Sequence, residues 1–147
     1  MTRETITALM VAPGLQPIAT ELYKDRNFIQ KAVSIGAESL CSVGEIPLGR
    51  VAILYGEEAA IYCAPGNRRV GDRCIAGHFY IVGCEDTVLT SLSKEDIEFY
   101  RDLFWEPEEI DGLDAVASYL SSSLWANFFQ KSSLGNNKIL VDINGHE

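Results

Sequence analysis

Ala60-Ile61-Tyr62-Cys63-Ala64-Pro65-Gly66-Asn67-Arg68-Arg69-Val70-Gly71-Asp72-Arg73-Cys74-Ile75-Ala76-Gly77-His78-Phe79-Tyr80-Ile81-Val82 sets three arginines between two apolar runs. Ala60 to Ala64 and Cys74 to Val82 read as strands, and the segment between them as a rigid cationic turn projecting from one end of a sheet. Upstream, Val51 to Tyr55 is a third strand candidate, and Glu57-Glu58 before Ala59 has the length of a hairpin connection, so antiparallel pairing is expected. Leu40 to Val43 is a further short candidate, set off by Gly44 and by Pro47-Leu48-Gly49.

Toward the N-terminus, Ile6 to Ala12 reads as a buried first strand stopped by Pro13-Gly14 and Pro17, with a loop after it. Asn27 is the expected cap of a helix in which Phe28, Ile29, Ala32, Val33 and Ile35 recur at helical spacing, ending at Gly36. Toward the C-terminus, Ser93-Lys94-Glu95-Asp96 resembles a capping box with Asp in place of Glu or Gln, and Ile97, Tyr100, Leu103 and Phe104 mark one face of the helix it starts. Pro107 and the acidic run Glu106, Glu108, Glu109 and Asp111 form a linker. Beyond it Leu113, Val116, Ala117, Leu120, Leu124, Trp125, Phe128 and Phe129 fall on one helical stripe, with Ser118, Ser121, Ser122 and Ser123 mostly opposite. That stripe is expected to close the core, with docking on a second subunit as the alternative. Gly135-Asn136-Asn137 turns the chain into a last strand from Lys138 to Ile143. The expected architecture is an α+β single domain: a central, mainly antiparallel sheet packed by two or three helices over residues 1–106, and a helical extension over 107–147 packed on the core or on a partner.

The 147 residues, 47% of them hydrophobic, suffice for one core without disulfides or metals. A formal charge of -9 argues against nonspecific binding to nucleic acid through phosphate neutralisation. Residues 1–74 carry eight acids and eight bases and residues 75–147 thirteen acids and four bases, so the net charge belongs to the second half, as a solvated face or a surface that mimics nucleic acid. Cys41, Cys63, Cys74 and Cys84 lie 22, 11 and 10 residues apart without a C-x-x-C pair, which is poor metal spacing and fits buried thiols in a reducing compartment. No secretory leader and no apolar run of about 18 residues is seen, so a cytoplasmic protein without a membrane partner is expected.

Pro65-Gly66-Asn67-Arg68, the strand Ile75-Ala76-Gly77-His78-Phe79, the opening Val11-Ala12-Pro13-Gly14 and the helix start Ser91-Leu92-Ser93 together resemble the family catalogued as domain of unknown function 3846, over roughly residues 5–105. The resemblance implies an α+β fold and a setting in phages, plasmids and their bacterial hosts. It implies no catalytic residue.

Asn67, Arg68, Arg69 and Arg73 have the components of an anion cradle, because Gly66 permits close backbone approach and guanidinium forks match phosphate or carboxylate oxygens. Two other readings stand beside it: the arginines pair with Asp72, Glu57 or Glu58 and stiffen the turn, or a buried Arg68 ties loops together through backbone carbonyls. Tyr62 and Tyr80 are the candidates for stacking on a base, with Tyr55 and Phe79 also near the turn, although alternation prevents Phe79 and Tyr80 from facing one pocket. His78 is a candidate pH-sensitive partner or base, and Cys74 and Cys84 are candidate nucleophiles only with stabilised thiolates. No phosphate-binding loop, dinucleotide fingerprint or zinc-protease motif occurs, and neither cofactor nor metal is expected.

The function expected from these residues is noncatalytic capture of a small anionic ligand by an accessory protein of a phage or other mobile element. A nucleotide signal of bacterial defence, such as a cyclic nucleotide, is the expected ligand, and self-association is expected. A protein-interaction module that engages a host protein through its acidic or aromatic surface is the alternative, and a hydrolase the third.

Overall fold

A computed structural model of the chain describes residues 4–121. Its elements are β1 (Thr5–Val11), β2 (Ile18–Tyr23), α1 (Arg26–Val33), β3 (Val43–Leu48), β4 (Val51–Gly56), β5 (Gly66–Val70), β6 (Arg73–Ala76), β7 (Phe79–Glu85), β8 (Val88–Thr90) and α2 (Lys94–Leu103). A third helix, α3, covers residues 112–121. The main sheet runs β2-β1-β7-β4-β3, every pairing antiparallel, and β5-β6 form a separate two-stranded hairpin. The fold is α+β.

Alternation along three neighbouring strands builds two cores, one on each face. Ile6, Ala8, Ala52, Leu54, Tyr80 and Val82 point to one side, where Ile29, Ala32 and Val33 of α1 meet them. Leu9, Val11, Val51, Ile53, Phe79 and Ile81 point to the other, under Ile75 of β6 and Phe104 at the end of α2. The central strands read as unbroken apolar runs because neither face meets water. Strand β7 is the axis: β4 pairs along one edge, while β1 takes residues 79–81 and β8 residues 83–85 of the other.

Ser93 caps α2 as expected, its hydroxyl accepting from the Asp96 amide at 3.1 Å. The Asp96 carboxylate is tied down by both Nε and Nη2 of Arg50, each at 3.0 Å, which fastens the β3–β4 connection to the start of α2. The hydrogen bonds from Arg50 are the main reason that the Asp96 carboxyl lies below the usual aspartate range. Such a group stabilises the fold fully above its unfolded pKa, about 3.9, and loses that contribution as pH falls through the lower folded value. We therefore expect Asp96→Asn to be less stable than the wild type at pH 6 and the difference to shrink below about pH 4, as read from urea midpoints across pH. A difference that stays constant over that range would remove the Arg50–Asp96 linkage.

Several elements depart from the sequence reading. The segment after Pro17 is an edge strand, β2, in which Leu22 alone is fully buried. α1 begins one residue after Asp25, whose Oδ1 accepts from the amide of Asn27, so Asp25 and not Asn27 is the cap; Ile35 is exposed beyond its end. β3 starts where Leu40 to Val43 was expected to stop, and it runs through Pro47, which an edge strand accommodates. The hairpin at Glu57-Glu58 is replaced by one through Gly49-Arg50, between β3 and β4. Since β3 and β7 occupy both edges of β4, residues 60–64 have no edge to pair with and form turns instead.

The cationic turn is likewise a hairpin of its own. Arg68 and Arg69 lie within β5, Arg73 opens β6, and the turn is only Gly71-Asp72, where Gly71 takes φ +64°. Cys74 to Val82 is not one strand, because Gly77 at φ +77° redirects the chain from the small hairpin into β7 of the main sheet.

In α3 the apolar stripe faces away from the core. Leu113 is 77% and Leu120 47% exposed, while Ala115 is buried and the Ser118 hydroxyl accepts from the Cys74 amide at 3.1 Å. The serine side docks here because small residues let the helix approach β6 closely and give its amide a partner. Leu124, Trp125, Phe128, Phe129 and the expected strand from Lys138 to Ile143 lie outside the described residues.

Candidate functional site

Adjacent positions on a strand point to opposite faces, so β5 must separate Arg68 from Arg69. Arg68 points inward and is 0% exposed. Its Nε and Nη2 donate to the Phe104 carbonyl at 3.1 and 2.9 Å, Nη2 also to the Leu15 carbonyl at 2.7 Å, and Nη1 to Asn67 Oδ1 at 2.8 Å. Asn67, equally buried, donates from Nδ2 to the carbonyls of Val11 at 2.8 Å and Gly77 at 2.7 Å. The pair thus joins the end of β1, the loop at Leu15, the β6–β7 switch and the C-terminus of α2.

Phe104 is the C-cap of α2, and its carbonyl carries part of the negative end of the helix dipole. A guanidinium there is stabilised by oriented carbonyls instead of a carboxylate. Burial pulls the Arg68 pKa down, opposed by the charge of Glu108, yet a guanidinium remains protonated in proteins. Of the earlier readings of Arg68, the carbonyl tie describes this geometry. A single cradle made of all three arginines does not, because the strand pleat and the hairpin turn send them to three different places.

Arg69 lies on the exposed face, its Nε 3.9 Å from Glu108 and its Nη1 3.2 Å from Cys74 Sγ. Arg73 is exposed and donates from Nη1 to the Tyr55 hydroxyl at 2.8 Å. It lines a cleft of about 280 Å³ between β4, β6 and α3, together with Tyr55, Glu57, Glu58, Cys74, Ser118 and Tyr119. The lining thus joins a guanidinium and two phenols with two carboxylates. Glu58 is partly engaged, accepting from the Ser42 amide at 2.6 Å.

The remaining candidates stand apart from Arg73. Tyr80 belongs to the α1-side core, its hydroxyl directed at the Ala32 carbonyl at 3.5 Å, and burial holds the phenol above its usual pKa. Tyr62 packs with Cys41, Ala59 and Ala64 in a third cluster. His78 follows the Gly77 switch; burial lowers its pKa against the opposing pull of the Ile35 backbone, and its buried Nδ1 has no hydrogen-bond partner among the described residues. Tyr55 and Tyr119 are the rings that share the cleft with Arg73. Tyr55 was within reach of the sequence, since it ends the strand run before Glu57. Ser118 and Tyr119 were not, because the larger apolar residues of α3 indicated the wrong docking face.

Among the described residues no group of three or more His, Cys, Asp or Glu side chains is placed to hold a metal ion, and no helix is long and apolar enough to cross a membrane.

Sheet order, the buried Asn67–Arg68 tie and the cleft beside Arg73 define an α+β domain with two-sided sheet packing. The profile of the family described as Domain of unknown function (DUF3846) matches residues 6–105, about two thirds of the chain, and the protein belongs to that family. The match ends before α3, so it includes β5, β6 and Arg73 but not Ser118 or Tyr119. No curated protein and no solved structure matches the chain.

Proposed function

We propose that the protein binds a small anionic ligand of the mononucleotide class in the cleft beside Arg73, without catalysing its conversion. The observation that carries this reading is the exposed Arg73 guanidinium, which donates to the Tyr55 hydroxyl in a concave site lined by Tyr55 and Tyr119. A guanidinium presents parallel donors to phosphate oxygens, a tyrosine ring accepts a base by stacking, and the Glu57 and Glu58 carboxylates accept from ring or exocyclic N–H groups. A nucleotide carries all three kinds of partner in one molecule.

Size narrows the ligand. Small-molecule sites usually enclose about 300–1,000 Å³, and about 280 Å³ falls just below that range, which favours one nucleotide unit over a cyclic di- or trinucleotide. In the mobile-element setting that the family resemblance implies, such binding would sequester a nucleotide signal, a task that needs affinity and no reacting group. A native-state ligand at 100 times its Kd adds about 2.7 kcal/mol to stability, so nucleoside monophosphates at millimolar concentration should raise the melting temperature by several degrees. A flat response to mono- and cyclic nucleotides alike would end this reading.

A protein-interaction module is the second reading, supported by Phe99 and Leu103, each 60% exposed and one turn apart on α2. Because that row lies on another element, substitution of Arg73 separates the two: a protein contact through α2 survives it and nucleotide binding does not.

A further inference from the structure

Strand β2 forms one end of the main sheet and, among the described residues, pairs only with β1. Its hydrogen-bonding phase is fixed by the bond from the Lys24 amide to the Glu4 carbonyl at 2.8 Å, which continues the β1–β2 ladder in which Ile6 faces Leu22 and Ala8 faces Thr20. Residues with even numbers therefore exchange their backbone bonds with β1. In an antiparallel ladder the intervening residues turn their N–H and C=O groups the other way. The outward groups of β2 are thus those of Ala19, Glu21 and Tyr23.

The opposite end of the sheet is protected differently: β3 carries Pro47, a proline of the kind that blunts an edge. Between Ile18 and Tyr23, β2 has no proline and no lysine, and Ile18 is 57% exposed.

We propose that β2 is a self-pairing edge that joins two copies of this chain into a dimer with one continuous antiparallel sheet. Twofold symmetry and the pleat together restrict the register. Residues facing each other across the new seam must lie on the same face, so their numbers sum to an even value. Two such registers centre the strand. One puts Glu21 opposite Glu21 of the second copy, and like charges directly opposite are destabilising. The other puts Thr20 on the axis, Ile18 opposite Leu22, and Ala19 opposite Glu21. In this second register Ala19 and Glu21 exchange both backbone bonds, and symmetry doubles the exchange to four. Like charges are separated, and the two threonines form a non-hydrogen-bonded pair with Cα atoms about 4.5 Å apart. A second copy is the occupant because in this register Ala19 and Glu21 satisfy each other's outward donors and acceptors with no like charges directly opposite.

The register makes Ala19→Pro a selective probe. It deletes an outward N–H while leaving the β1 ladder intact, and edge strands accept proline at such positions. Thr20→Lys brings two ammonium groups together on the axis. By sedimentation equilibrium at tens of micromolar, the wild type should be dimeric, and both variants monomeric with unchanged far-ultraviolet circular dichroism. In a Cys63→Ser background, which removes an exposed thiol, Thr20→Cys should oxidise to a covalent dimer because its Cα separation falls inside the disulfide range, whereas Ala19→Cys should not. A monomeric wild type overturns the proposal, and so does a dimer that persists in Ala19→Pro and Thr20→Lys or that is cross-linked equally well through position 19.

Discussion

Arg68→Ala should lower the unfolding free energy by about 3–5 kcal/mol, since each buried acceptor left unpaired costs about 1–3 kcal/mol. The side chain supplies four hydrogen bonds, and its loss leaves the Phe104 carbonyl and the Oδ1 of Asn67 without those donors in the interior and the Leu15 carbonyl without one in a part-buried position. Against a typical domain stability of about 5–15 kcal/mol, that is a large share. Arg68→Lys tests geometry apart from charge. An ammonium is a point donor and cannot reach Phe104, Leu15 and Asn67 as a planar fork does, so this variant too should lose more than 1 kcal/mol, about the value of one ordinary hydrogen bond. Urea midpoints for the two variants check both statements. A lysine variant with wild-type stability would mean that position 68 needs only a positive charge.

Phe79→Ala should be comparably damaging, about 3–5 kcal/mol as for other fully buried phenylalanines. Its ring is inaccessible to water and meets Phe104 edge-on, with centroids 5.4 Å apart and planes at 79°. Phe104 is thus held twice, through its ring by Phe79 and through its carbonyl by Arg68. The two substitutions remove supports of the same helix end, so their costs should not add. The double variant should lose at least 0.5 kcal/mol less than the sum, the lower bound for residues that share a partner. Strict additivity in a double-mutant cycle would show that the end of α2 does not couple them.

The elements most legible in the sequence were those with the densest apolar content. β1, β4 and β7 stand out because water reaches neither face, and α2 because Ser93 supplies a physical start signal. The edges were not legible. β2 buries Leu22 alone, and β3 contains Gly44 and Pro47, residues that ordinarily mark turns. The segment from Glu57 to Ala64 misled for the opposite reason: its small apolar residues suit a strand, but β4 already has partners on both edges.

The candidate site was legible as a segment and not as a geometry. Composition drew attention to Asn67, Arg68, Arg69 and Arg73 as one group, and reading the segment as a turn hid the strand alternation that divides Arg68 from Arg69 in β5. Which of the two goes inside depends on the β5–β6 register and the slip between Gly66 and Arg68, which pairing alone determines. Ser118 and Tyr119 reach the cleft only because α3 docks by its small-residue side, a choice that hydrophobic periodicity does not predict.

The arginine segment divides between two tasks: Asn67 and Arg68 hold the fold, and in the proposed function Arg73 meets the ligand. Titration calorimetry of the best mononucleotide against the wild type, Arg69→Ala and Arg73→Ala tests that division most directly. A hydrogen bond to a charged group contributes about 1.5–3 kcal/mol, so Arg73→Ala should weaken binding by about 10- to 150-fold while Arg69→Ala, already engaged with Glu108 and Cys74, changes it by less than about threefold. Equal affinity of the wild type and Arg73→Ala, or a loss confined to Arg69→Ala, would contradict it.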